Sequence, residues 1–99
     1  MRRGTTPTLK IRVSGIDLKE LETIYITIKQ NKNEVTKSGN EVTTDGDIIF
    51  ITLSQEDTLK FCRSCAWVQM RAITVDGMAV ASGIRMINID DILKDGVIT

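Results

Sequence analysis

Two cysteines three residues apart, Cys62 and Cys65 in the stretch FCRSC, are the residues whose type and spacing most directly suggest chemistry. A CxxC pair serves as a thiol–disulfide couple or as half of a zinc site. A thioredoxin-like couple sits where a strand runs into a helix, so that the helix dipole stabilises the attacking thiolate. Here a helix signal, SQEDTLKF, precedes the pair and a strand signal follows it, so the dipole has the wrong sense. Only Arg63 is placed to favour a thiolate. A closed zinc site takes four ligands, and this chain has two cysteines and no histidine. Zinc would therefore need a dimer or carboxylate ligands. The favoured reading is two thiols in a turn, with Cys62 and Cys65 kept as a candidate redox pair.

The missing histidine also removes Ser-His-Asp and Cys-His nucleophile activation and any near-neutral imidazole switch. The segment DGDIIFITLSQE, Asp45 to Glu56, has acidic groups at positions one, three and twelve, as a calcium-binding EF-hand loop does. Its sixth position is Phe50 where that loop requires glycine, and the residues between alternate like a strand. The match is a coincidence. No phosphate loop, nucleophile elbow or paired-carboxylate motif is present, so no catalytic, metal or cofactor residue is assigned and no cofactor is expected.

A different kind of site is suggested by the stretch from Cys65 to Val75. Ala66, Val68, Met70 and Ala72 alternate there with Trp67, Gln69, Arg71 and Ile73. If the first set faces a core, Trp67, Arg71 and Ile73 lie together on the outer face. Trp and Arg are typical anchors of protein interfaces, and an apolar outer patch implies a partner. The competing reading is that the strand is buried on both faces or that Trp67 covers a sheet edge. At the termini, Arg2 and Arg3 oppose Asp90, Asp91 and Asp95. Such ends suit head-to-tail stacking of subunits, against the commoner case of solvated, unpaired termini.

The elements that must position these residues are strands. Leu9, Ile11 and Val13 alternate with Lys10 and Arg12, and Ile24, Ile26 and Ile28 alternate with Tyr25, Thr27 and Lys29, the period of a half-buried strand. GIDLKELE between them predicts a turn of helix. Gln30 to Asn33 reads as a hairpin loop, followed by a strand over 34–37. Ser38-Gly39-Asn40 turns the chain into a strand over 41–44. Asp45-Gly46 is a hairpin dipeptide whose residues tolerate positive φ, and Asp47 to Leu53 is the next strand. Ser54 is placed to cap a short helix with Asp57 as capping-box partner, with Leu59 and Phe61 packing that helix down. Two long strands, 65–75 and 78–89, meet at Asp76-Gly77, and DDILKDGVIT closes the chain as a turn or short helix.

About seven closely spaced strands with one short helical turn predict an all-β fold, an antiparallel two-sheet Ig-like β-sandwich forming a single domain over residues 1–99. A small, partly open barrel is the alternative. At 99 residues, 41% of them hydrophobic, the chain has enough apolar material for one modest core. A domain of this size buries a little over ~60% of its unfolded surface. Thirteen basic residues balance thirteen acidic ones, so no net field draws the chain to phosphate backbones, and no nucleic-acid partner is expected. No apolar run approaches the roughly 18 residues of a membrane span, and no apolar stretch follows the arginines of MRRGTTPT as in a signal peptide. The expectation is a cytoplasmic protein with reduced thiols and no membrane partner.

The opening MRRGTTPT, then IYITIKQNKNEV, TTDGDIIFITLSQEDTLKF, VQMRAITVDGMAVAS and the closing INIDDIL resemble a family of small prophage-encoded proteins of Gram-positive bacteria. The likeness runs over nearly the whole chain and is most specific at MRRGTTPT, LSQEDTLKF and VQMRAITVDG. More distantly, the layout is similar to the N-terminal β-sandwich of phage upper-baseplate proteins. The resemblance implies a non-enzymatic structural protein whose partners are phage tail or baseplate proteins and, in the assembly, further copies of itself. It also implies manufacture in the host bacterial cytoplasm and a place in the virion tail. The family carries glycine in the turn after LSQEDTLKF; Cys62 to Cys65 depart from that pattern. A glycan-binding adhesion module using Trp67 or Tyr25, and a CxxC redox protein, are the readings from other functional classes.

Overall fold

Alternation fixes which side chains turn inward. Ile26 and Ile28 on one strand and Ile49 and Ile51 on another are enclosed, while their odd-even neighbours reach solvent. A computed structural model describes residues 1–99 and arranges these strands as two antiparallel sheets. The eight strands are β1 (Thr8–Arg12), β2 (Leu21–Gln30), β3 (Asn33–Ser38), β4 (Val42–Asp45), β5 (Ile48–Thr52), β6 (Ser64–Thr74), β7 (Ala79–Ala81) and β8 (Arg85–Ile89). One sheet has the order β1-β5-β4; the other has β3-β2-β6, with β7 and β8 both pairing along β6.

The two sheets enclose one core. Val13, Ile49, Ile51 and Leu53 come from the side of the small sheet. Ile26, Ile28, Val35, Ala66, Val68, Met70, Ala72 and Ile89 come from the large one. In chain order the strands correspond to B, C, C′, D, E, F and a divided G of the immunoglobulin sandwich, with B-E-D facing C′-C-F-G. The expected Ig-like sandwich is therefore the observed architecture. Its usual inter-sheet disulfide is missing because β1 contains no cysteine, and β2 contains no tryptophan.

The expected strand over 78–89 is two strands. Between the Arg71–Ala81 and Val68–Arg85 pairs, Gln69 and Met70 of β6 face three residues, Ser82, Gly83 and Ile84. The extra residue is a bulge, and it shifts the phase: Val80 turns inward in β7, Ile87 and Ile89 in β8. Ser82 fills the gap, its N–H donating to the Met70 carbonyl at 2.9 Å and its hydroxyl accepting from the Met70 N–H at 3.0 Å.

The turns follow their residue chemistry. Asn31 takes positive φ in a two-residue turn, so Gln30 ends β2 instead of lying in a loop. The GIDLKELE helix is a single 3-10 turn, Leu18–Glu20, capped by Asp17, whose carboxylate accepts from the Lys19 N–H at 3.0 Å. The helix α1 (Gln55–Leu59) has the expected capping box. The Asp57 N–H donates to Ser54 Oγ at 3.0 Å and the Ser54 N–H to Asp57 Oδ2 at 2.9 Å. Thr58 is the buried residue of the helix, its hydroxyl donating to the Thr5 carbonyl at 2.9 Å, and Phe61 just beyond the helix is fully buried. Residues 91–99 contain neither helix nor strand; Ile92 is half-buried and Leu93 fully exposed.

Candidate binding face

On β6, the side chains of Ala66, Val68, Met70 and Ala72 enter the core, which sends Trp67, Arg71 and Ile73 to the opposite face of the large sheet. Trp67 is 49% exposed and Ile73 38% exposed. The strand is thus buried on one face only, and Trp67 sits within the sheet, between β2 and β8. The pairing register adds residues that spacing along one strand does not reveal. Tyr25 stands opposite Arg71 and Lys29 opposite Trp67. On the other flank Met86 stands opposite Trp67. Tyr25, Met86 and nearby Ile84 are all exposed, so an apolar and aromatic patch extends across β2, β6 and β8.

An open depression of about 640 Å³ lies beside Trp67, bounded by Lys29, Glu34, Gln69, Arg71 and Ile84. A second, of about 300 Å³, runs between Tyr25, Thr36, Arg71 and Ile73. Arg71 and Thr27 border both, so the two form one face. Arg71, Lys29 and Glu34 make no ion pair within the chain, although Lys29 and Glu34 are register partners. Their charges remain available to a ligand or partner.

The cysteines lie elsewhere. Cys62 is exposed in the corner between α1 and β6, Cys65 is half-buried at the start of β6, and both are free thiols. The pair follows a helix, as the sequence indicated. What holds the corner is Gln30, 4% exposed. The Cys62 N–H donates to Gln30 Oε1 at 2.7 Å, and Gln30 Nε2 donates to the Cys62 carbonyl at 2.9 Å and the Cys65 carbonyl at 3.3 Å. Sequence spacing could not find this residue, because its partners are 32 and 35 positions away. No three acidic or cysteine side chains gather into a ligand set, and Asp45, Asp47 and Glu56 are distributed over the two ends of β5.

The charged termini correct the sequence expectation. They are not unpaired, because they bind each other within the chain, although Asp91 and Asp95 stay exposed. Arg3 donates through Nη1 to Asp91 Oδ1 at 2.9 Å, through Nη2 to Asp95 Oδ1 at 3.2 Å and through Nε to the Phe61 carbonyl at 2.6 Å. A short parallel bridge, Arg2 with Asp90, lays the first residues along β8. The Asp91 carboxyl is held below its ordinary range by the Ile92 N–H and then by Arg3.

No family model, curated protein or solved structure compared with the chain matches it.

Proposed function

We propose that the chain is a non-enzymatic structural protein of a phage or prophage tail or baseplate, working through protein–protein contacts on the outer face of its large sheet. The observation that carries this reading is the half-exposed Trp67 set among Tyr25, Arg71, Ile73 and Met86 on a regular sheet. Aromatic side chains on a preorganised face bury large areas with little loss of conformational freedom, and arginine adds hydrogen-bond donors, which is how interface anchors act. A standard interface of roughly 1,600 Å² draws in about 20–30 residues a side, and the two joined depressions give such a contact relief. The resemblance of MRRGTTPT, LSQEDTLKF and VQMRAITVDG to prophage proteins supplies the assembly. The partners are tail or baseplate subunits, the protein is made in the host cytoplasm, and its destination is the virion. The test is co-assembly of the wild type and Trp67→Ala with phage tail and baseplate proteins, read by mass spectrometry of purified particles. Unchanged incorporation of Trp67→Ala would remove the face from consideration.

A second reading rests on the depression beside Trp67. One aromatic surface surrounded by Lys29, Glu34, Gln69 and Arg71 is also suited to a sugar ring with hydrogen-bonding substituents. Binding on a glycan array that disappears with Trp67→Ala would favour this adhesion reading over the structural one.

A further inference from the structure

A β-sandwich has open sheet edges, and a strand edge with unpaired N–H and C=O groups recruits another strand unless something prevents it. Three edges here carry the usual protection. β1 has Lys10 and Arg12, β3 has Glu34 and Lys37, and β4 ends in Asp45. The β8 edge is covered at its far end by the first residues, with the Asp90 N–H donating to the Met1 carbonyl at 2.7 Å and the Arg3 N–H to the Asp90 carbonyl at 2.9 Å. β7 differs. From Met78 to Ile84 the sequence is MAVASGI, with no charge and no proline, and no strand pairs with its outer side.

The direction of its backbone groups is fixed by the hairpin. The Thr74 N–H donates to the Met78 carbonyl and the Ser82 N–H to the Met70 carbonyl, both at 2.9 Å. Met78, Val80 and Ser82 therefore turn their backbone groups toward β6, and the residues between, Ala79 and Ala81, turn theirs away. We propose that β7 is a self-association edge, pairing antiparallel with β7 of a second copy about a two-fold axis through Val80.

In that register Ala79 and Ala81 of one copy face Ala81 and Ala79 of the other. Each facing pair exchanges two hydrogen bonds, and the two large sheets become one continuous sheet. The match is self-complementary, as an isologous contact requires. The facing side chains are methyl groups that neither clash nor repel. The same axis brings the Asp76-Gly77 turn of one copy toward Ile84 and Arg85 of the other. Asp76 and Arg85 make no ion pair within the chain, so opposite charges meet at both ends of the seam. Exposed Met78 and Ile84 flank it. β1 lacks this property: pairing with itself about its central residue would set Lys10 against Lys10.

The test is sedimentation equilibrium of the full chain and its variants. Ala81→Pro removes an N–H the fold does not use, at an edge position that tolerates proline, and is expected to weaken the dimer at least ~10-fold, about 1.4 kcal/mol. The double variant Ala79→Lys with Ala81→Lys sets like charges opposite each other and is expected to do the same. Ala79→Glu with Ala81→Lys sets opposite charges across the same pairs and is expected to retain the dimer, which also shows that polar side chains at these positions leave the fold intact. Trp67→Ala is expected to leave self-association unchanged, which separates this edge from the sheet face. A wild type monomeric at its highest soluble concentration, including one that instead accepts a strand from another protein, would overturn the proposal. So would a dimer indifferent to Ala81→Pro, or dissociation of the opposite-charge double variant to the same extent as the double lysine.

Discussion

The side chain of Gln30 and the backbone of Cys62 hold each other in both directions. The Cys62 N–H donates to Gln30 Oε1 at 2.7 Å, and Gln30 Nε2 donates to the Cys62 carbonyl at 2.9 Å. The amide replaces the strand neighbour that the corner lacks, so the turn carrying Cys62 and Cys65 is built by a residue at the end of β2. Its shape follows from the Gln30 amide.

Replacing Gln30 by Leu keeps the approximate volume and deletes these hydrogen bonds, leaving a corner N–H and two carbonyls without their partner. An unsatisfied buried group costs about 1–3 kcal/mol, so Gln30→Leu should lower unfolding free energy in urea by about 2–4 kcal/mol. Cys62→Ser, at an exposed position whose side chain takes no part in the clamp, should stay within about 0.5 kcal/mol of wild type. Equal urea midpoints for Gln30→Leu and wild type would show that the corner does not need the amide.

Lys37 of β3 and Asp57 of α1 form an ion pair at 2.8 Å with both side chains 14% exposed. The hydrogen bond to Asp57 is the main influence that raises the Lys37 pKa, against the opposing effect of burial. Burial pushes the Asp57 carboxyl upward, but the Lys37 bond and the bonds from Ser54 outweigh it, so its pKa falls. A depressed carboxyl contributes stability present above its unfolded pKa and lost as pH drops through the folded value. A raised ammonium contributes stability present below its unfolded pKa and lost as pH climbs through the folded value. The pair should therefore be fully effective between about pH 4 and pH 10. Lys37→Met should cost about 1–3 kcal/mol at neutral pH, the cost of leaving a mostly buried partner unsatisfied, and flatten the acid limb of the stability profile. Thermal melts between about pH 2 and about pH 7, which bracket the ordinary carboxyl range, check both.

Arg3 ties three segments that are distant in sequence: the first residues, the Phe61 corner and the closing segment with Asp91 and Asp95. Two further ties on the closing segment are Arg2, whose Nη1 donates to the Asp91 carbonyl at 2.6 Å, and Gln55, which exchanges two hydrogen bonds with the Ile98 backbone at 3.0 and 2.9 Å. Arg3→Met should raise amide exchange and protease cleavage in residues 91–99 while leaving β2 and β6 protected. Gly4 beside it has φ of +69°, and an added Cβ would lie 2.8 Å from Ile92 Cδ1. Gly4→Ala should therefore destabilise by more than about 1 kcal/mol. Cleavage of 91–99 unchanged by Arg3→Met would show that the clasp is dispensable.

The strands and their inward residues were legible because period-two alternation reports a half-buried sheet directly. Ile26, Ile28, Ile49, Ile51 and Met70 all point where the pattern sends them. The Ser54–Asp57 box was legible because both partners lie within one turn. Three features were not. The bulge at Ser82–Ile84 changes the phase of alternation between Val80 and Ile87, which a single-strand reading over 78–89 merges. The Gln30 clamp and the Arg3 clasp depend on contacts spanning 32 residues or more. On the candidate face, Trp67, Arg71 and Ile73 share one strand, so its alternation alone reveals them. Met86 joins them through pairing across the bulge, which no local pattern encodes.

Trp67 and Met70 lie three residues apart on one strand and should respond oppositely to truncation. Met70 is 1% exposed at the centre of the core, so Met70→Ala removes packed atoms and leaves a cavity, costing about 2–5 kcal/mol. Trp67 contacts the sheet through one side only, so Trp67→Ala should change unfolding free energy by less than about 1 kcal/mol. Its effect should appear in binding, where loss of an interface anchor costs at least about 2 kcal/mol, and Arg71→Glu should add a charge penalty on the same face. Urea titrations of Trp67→Ala and Met70→Ala, with pull-down of the proposed tail partners by the same chains, separate these effects. A Trp67→Ala chain as unstable as Met70→Ala would make Trp67 a folding residue and leave the face without its anchor.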